Sequence, residues 1–154
     1  MALRKILVPF NFSIQDEKTL HFLIRSFAED RLARITLFHV YTSLSDMDAY
    51  ANPALVRLRS TVAAFASELP EKKRTFEQVR ADLIENGFSE NRVEYELKAQ
   101  QSSIGEEIVA KVLEGGYDTI VLGYRPGWIS RAFTRSVHEK VLGALRNKII
   151  TIVT

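Results

Sequence analysis

Ile6-Leu7-Val8-Pro9-Phe10, early in the chain, and Thr119-Ile120-Val121-Leu122-Gly123, late in it, are the two runs on which the fold turns. Both are continuous, apolar and rich in β-branched residues, the pattern of strands buried on both faces. Strands of that kind belong to a parallel sheet covered by helices above and below.

The segments around these runs agree. Ser13 stands three residues before Asp16 as a candidate helix N-cap, and Leu20, Leu23, Ile24, Phe27 and Ala28 then recur at helical spacing through Glu29. Residues 35–41 read as a second strand and the polar residues 42–52 as a loop. Pro53 suits a first helical position. Two helical stretches are expected after it, 54–68 and 71–86, parted at Pro70 and closed by Gly87. Val93, Tyr95 and Leu97 alternate with charged residues, which predicts a half-exposed third strand near a sheet edge.

Ser103 opens a helix with Ile104, Ile108, Val109, Val112 and Leu113 on one face, ended by Gly115-Gly116. A loop then runs through Thr134. Ser136 and Glu139 form an S-x-x-E capping box that opens the last helix, with Val137, Val141 and Leu145 on one face. Residues 149–153 close the pattern as a fifth strand. Strand and helix alternate throughout, so the crossovers are right-handed and the sheet parallel. Ligands bind such sheets past the carboxyl ends of the strands where the winding reverses. Strands one and four are the expected neighbours there, which puts residues 11–13 and 123–125 in the crevice.

The bulk numbers set the remaining limits. The length of 154 residues fits a single domain spanning 1–154. The formal net charge of +2 is too small to argue for nucleic acid or an anionic membrane. The absence of cysteine excludes disulfides, thiolate metal ligands and a cysteine nucleophile. No run approaches the roughly 18 apolar residues of a membrane span, and no cleavable leader is visible, so a cytoplasmic protein is expected.

Three segments carry a resemblance: residues 6–13 (ILVPFNFS), 117–123 (YDTIVLG) and 136–142 (SVHEKVL) together resemble the universal stress protein family. The order and spacing cover almost the whole chain. The resemblance implies a three-layer α/β sandwich, adenine nucleotide alpha hydrolase-like, with a five-stranded parallel sheet of order 3-2-1-4-5. It implies a stress-response role and a homodimer formed through the last strand, at Ile149, Ile150, Thr151, Ile152 and Val153. It also implies ATP or another adenine nucleotide as ligand, with candidate contacts at Pro9, Asn11, Val40, Gly123, Arg125, Gly127, Arg135, Ser136 and Val137. Magnesium is expected only with a nucleotide. No other metal, nucleic acid or membrane partner is expected.

Family members that bind ATP carry the pattern Gly-x2-Gly-x9-Gly-Ser/Thr after strand four and an Asp just after strand one. Here Gly123 matches the first glycine, but Pro126 stands where the second belongs and Gly127 comes one place late. Arg135 replaces the glycine before Ser136, the loop is one residue short, and Asn11 takes the place of the Asp. The lost glycines are positions where backbone N–H groups approach phosphate, and Pro126 removes a donor outright. Arg125, Arg131 and Arg135 add cations that suit phosphate, or a solvated loop. Trp128, Ile129 and Phe133 suit packing or a partner contact ahead of stacking on a base. His21, His39 and His138 lack metal-ligand spacing and read as structural, while Glu71, Glu106 and Glu107 read as helix-surface charges.

Neither a nucleophile elbow nor a Walker loop is present. A non-enzymatic protein is therefore expected. Its alternatives are a nucleotide-independent dimeric module with a degenerate loop and, further off, an ATP-hydrolysing enzyme.

Overall fold

The computed structural model describes residues 2–13, 15–41, 59–123 and 135–154, with backbone only at 59–68 and 135–136. The expected loop 42–52, Pro53, residues 54–58 and the segment 124–134 lie outside the described residues, and with them Arg125, Pro126, Gly127, Trp128, Ile129, Arg131 and Phe133.

Five strands form one parallel sheet: β1 Arg4–Pro9, β2 Ala33–Tyr41, β3 Val93–Ala99, β4 Thr119–Gly123 and β5 Ile149–Val153. Their order is β3-β2-β1-β4-β5, as the resemblance implied. β1 is central because Ile6, Leu7 and Val8 have no solvent-exposed surface at all. Side chains alternate across a strand, so the sheet needs cover on both faces. Ile6 and Val8 pack with Leu23 of α1 (Gln15–Phe27) and with Phe76, Val79 and Leu83 of α2 (Arg59–Glu85). Leu7 faces the other way, toward Ile108 and Val112 of α3 (Ile104–Gly115) and Val137 and Val141 of α4 (Arg135–Ala144).

The ends of the elements follow local chemistry. Ser103 caps α3, its side chain accepting from the Glu106 N–H at 3.3 Å. Gly116 ends the helix in the left-handed region at φ 65°, where only glycine sits without strain. Within the YDTIVLG segment, the Tyr117 hydroxyl donates to Thr36 Oγ1 at 2.9 Å, and Asp118 Oδ2 accepts from the Lys5 N–H at 2.9 Å. These bonds lock the start of β4 to β1 and β2, a structural task for residues first noticed as a family signature.

Two expectations need correction. Pro70 does not divide two helices: α2 runs unbroken from Arg59 to Glu85 with Pro70 inside it. Proline inside a helix forgoes its own N–H bond and crowds the carbonyl four residues back, a local cost. Pro70 is exposed, and the turns beyond it are held to the sheet by Phe76, Val79 and Leu83, so packing outweighs the missing bond. Ser136 does not stand ahead of α4 as a cap. The helix already includes Arg135, which places Ser136 inside its first turn, whereas an N-cap precedes the first helical residue.

A proline in a helix interior is disfavoured against alanine by about 3 kcal/mol. Pro70→Ala is accordingly expected to stabilise the protein by about 1–3 kcal/mol, read as a higher urea midpoint. An unchanged or lower midpoint would mean that α2 depends on the proline.

Candidate functional site

The winding of the sheet reverses between β1 and β4. β1 leads into α1 on one face, while the chain from β4 reaches α4 on the other. A crevice therefore opens beyond the carboxyl ends of these neighbours. Pro9 at the end of β1, Val40 near the end of β2 and Gly123 at the end of β4 lie at this end of the sheet, with Asn11 two residues beyond Pro9, four of the expected contact residues.

The turn from β1 into α1 is built on a carboxyl group. Asp16 is buried, and its Oδ2 accepts the Ser13 N–H at 2.7 Å. The backbone N–H groups of Asn11 and Phe12 also interact with this side chain. Burial pushes the Asp16 carboxyl up to about 7, against the pull of those three N–H groups toward the ionised form. α1 begins at Gln15, so Ser13 stands two residues ahead of the helix and not at the N-cap position expected for it, although the Asp16 carboxyl still reaches back to its N–H.

Phe12 sits at φ 57°, a conformation that costs a side-chain-bearing residue about 1–2 kcal/mol. Its ring lies 5.2 Å from that of Phe10, 4.9 Å from Phe76 and 4.7 Å from His39, contacts that offset the strain. The backbone of the turn is bent so that an aromatic side chain can reach the core, and Asn11 is left at the rim.

His39 is also buried. Its Nδ1 lies 2.7 Å from the Phe10 carbonyl oxygen, which can only accept, so the proton of the neutral ring is on Nδ1. Burial lowers its pKa to about 4 and keeps the ring neutral near pH 7. Nε2 then carries a bare lone pair, with no hydrogen-bond partner among the described residues. The expected structural histidine is satisfied at one nitrogen only.

His39 joins Pro9, Phe10, Phe38, Val40, Ile104 and Ile108 around an apolar pocket at the carboxyl ends of β1 and β2. Its volume is about 10 Å³, which is space for about one water molecule. Between the pocket residues Ile104 and Ile108, α3 carries Glu107, which is 2% exposed and not the surface charge expected for it. Its Oε1 accepts the N–H groups of Gln101 and Ser102 at 3.0 Å each and the Ser102 hydroxyl at 3.1 Å, and Lys98 pairs with Oε2. Burial opposes its ionisation, but the Lys98 contact and these donors together hold its pKa below the usual carboxylate range.

Gly123 has a packing role of its own. A Cβ there would stand 2.9 Å from Thr19 Oγ1 and 3.1 Å from Gln15 Cγ, so α1 can lie this close only because the residue is glycine. Gln15 Nε2 in turn donates to the Val153 carbonyl at 2.9 Å, tying α1 to β5. Val137 points into the core with only 7% exposure, so any contact it makes with a ligand is through its backbone. The side chains of Arg135 and Ser136, together with Arg125 and Gly127, lie outside what is described. Among the described residues no group of three His, Cys, Asp or Glu is placed to hold a metal ion. No helix there is long and apolar enough to cross a membrane.

Asp16 and Glu107 were not expected as site residues, while Phe12, expected in the crevice with residues 11–13, turns its ring onto Phe10, Phe76 and His39. Glu107 left a trace, since it follows Ile104 by three positions and precedes Ile108, on the buried side of α3. Nothing in the sequence marks Phe12 for a left-handed turn.

Fold and crevice together define a doubly wound α/β protein with a crevice at the winding reversal. The model of the universal stress protein family matches residues 2–147, and the chain belongs to that family. Solved structures share the fold. Hypothetical protein MJ0577 superposes with a TM-score of 0.69 at 22% identity, over 99% of this chain and 96% of that one. The universal stress protein from Archaeoglobus fulgidus in complex with dAMP gives 0.66 at 19% identity, over 100% of both chains. A family member from Arabidopsis thaliana with AMP bound gives 0.58 at 16% identity, over 98% of this chain and 92% of that one. Among curated proteins, none matches the chain in sequence.

Two of the buried titrating groups, Asp16 and His39, predict opposed pH effects. Asp16 holds its proton up to about pH 7 in the fold but only to 3.8 in the unfolded chain, so its contribution to stability falls as pH rises between those values. His39 is protonated first in the unfolded chain, so stability is lost as pH falls from 6.5 toward about 4. Asp16→Asn removes the first effect only. The variant should gain on wild type by roughly 1–4 kcal/mol between about pH 4.5 and 7.5, compared by urea midpoints. A difference that stays constant over that range contradicts the assignment.

Proposed function

We propose that the chain is one domain that binds an adenine nucleotide in the crevice between the exits of β1 and β4, without catalysing a reaction on it, and acts as a homodimer in a stress response. The observation that carries the reading is the meeting of Pro9 and Val40 in one small apolar pocket at the carboxyl ends of β1 and β2, with Asn11 two residues beyond Pro9 on the side of the winding reversal. Related structures with dAMP, cAMP and AMP support it. The bare Nε2 of His39 fits an N–H donor such as an exocyclic amino group. A base enters only if side chains around the pocket move, because the present volume accepts about one water. That small volume, with Pro126, Arg135 and Asn11, favours the second reading, a module that works without nucleotide.

Titration calorimetry with AMP separates the two. One site per chain is expected, and Asn11→Ala should weaken it by about tenfold. Absence of any heat at millimolar AMP, together with no nucleotide released from denatured protein, would establish the second reading.

The dimer rests on β5. It forms one edge of the sheet, with Ile149 and Ile152 exposed by 60% and 40%. An apolar edge strand invites pairing with another strand, and a two-fold partner closes the surface. Light scattering at micromolar concentration should return twice the chain mass of 17.5 kDa, and Ile152→Lys should return the single chain. A monomeric wild type counts against the edge-strand interface.

A further inference from the structure

The end of the sheet opposite the crevice holds a pocket of its own. Parallel strands start together at that end, and the nine residues of β2 set it about 25 Å from the crevice. The pocket, of about 890 Å³, lies between the last turn of α1, the start of β2 and the turn that follows α2. Its charge is one-sided. Arg25, Arg31, Arg34 and Arg92 line it, and Glu29 is the single carboxylate among its lining residues.

Arg92 forms the fixed wall. Its guanidinium donates to the carbonyls of Ala33, Ala28, Phe27 and Asp30 at 3.1, 3.1, 2.7 and 2.6 Å, and it stacks 4.8 Å from the Phe88 ring centre. The carbonyls at and beyond the end of α1 account for this arginine. They do not account for the other three. Arg34 is positioned by a bond to the Asn91 carbonyl at 3.1 Å. Arg25 and Arg31 are exposed and make no hydrogen bond or ion pair among the described residues, and Glu29 pairs with none of the arginines there. Asp30 is already engaged by Arg4 at 2.8 Å and by the Leu32 N–H at 3.0 Å.

Four cations around one concave surface repel each other, and a concave wall focuses their field outward. An anion with several charges relieves that repulsion. The geometry points to this pocket as a binding site for a small polyphosphate, held by Arg25, Arg31 and Arg34 against the wall of Arg92. Guanidinium groups meet phosphate through two parallel N–H bonds, which lysine does not reproduce. The volume falls in the range of small-molecule sites and takes a chain of two or three phosphates. This site uses no residue of the crevice and stands or falls apart from the nucleotide reading.

Calorimetric titration of the full chain with inorganic tripolyphosphate in 150 mM KCl tests it. One site is expected, with affinity reduced about tenfold in Arg31→Gln and again in Arg25→Gln/Arg31→Gln. Both residues are exposed and unpartnered, so the variants should keep the wild-type melting temperature. Arg31→Lys should recover only part of the loss, and Asn11→Ala should bind as wild type does. No binding at millimolar tripolyphosphate, equal binding by all the arginine variants, or loss of binding in Asn11→Ala would each overturn the proposal. So would preferential binding of citrate.

Discussion

β1 has no face toward water, and the rest of the architecture follows from that constraint. A strand with Ile6, Leu7 and Val8 fully enclosed needs a strand on each side and a helix layer above and below. Chain connectivity then has to leave the central pair in two directions, α1 and α2 on one face and α3 and α4 on the other. The crevice is the geometric remainder of that divergence. It exists before any ligand chemistry is considered, and so the same fold supports members that differ in the residues around it.

The crevice is kept open by polar groups that stand under it. Asp16 gathers backbone N–H groups beneath the β1–α1 turn, and Glu107 does the same beneath the turn from β3 into α3. Buried carboxylates are costly unless they accept hydrogen bonds, and each of these accepts several. Phe12 bears backbone strain to bring its ring onto Phe10, Phe76 and His39. The Asp16 carboxyl and the strained Phe12 therefore fix the exit of β1, and Glu107 fixes the turn into α3. That rigidity places Asn11 at the rim and leaves the ring of His39 aimed by its bond to the Phe10 carbonyl.

Strand positions, their parallel order and the Gly87 and Gly116 stops were legible because burial and positive φ leave direct marks on sequence. Pro70 misled because proline disfavours a helix locally, while the contacts that hold α2 come from Phe76, Val79 and Leu83, and through them from the whole sheet. Glu107 misled because a carboxylate beside a helix start resembles a surface charge until the preceding turn folds back onto it. The same limit applies at the site. Pro9, Asn11, Val40 and Gly123 fall at strand ends and were readable as such. The roles of Phe12, Asp16 and His39 depend on three-dimensional closure that no spacing rule reports. Gly123 also has a cause that differs from the phosphate contact implied by its motif, since Thr19 and Gln15 occupy the space a side chain would need.

The central claim is that function resides where β1 and β4 part. Backbone amide shifts recorded as AMP is added to the protein test it most directly. The account predicts that the largest changes fall on Phe10, Asn11, Phe12, Ser13 and Val40, with the amino ends of the strands unmoved. Changes confined to other parts of the chain, or none at saturating AMP, would contradict it.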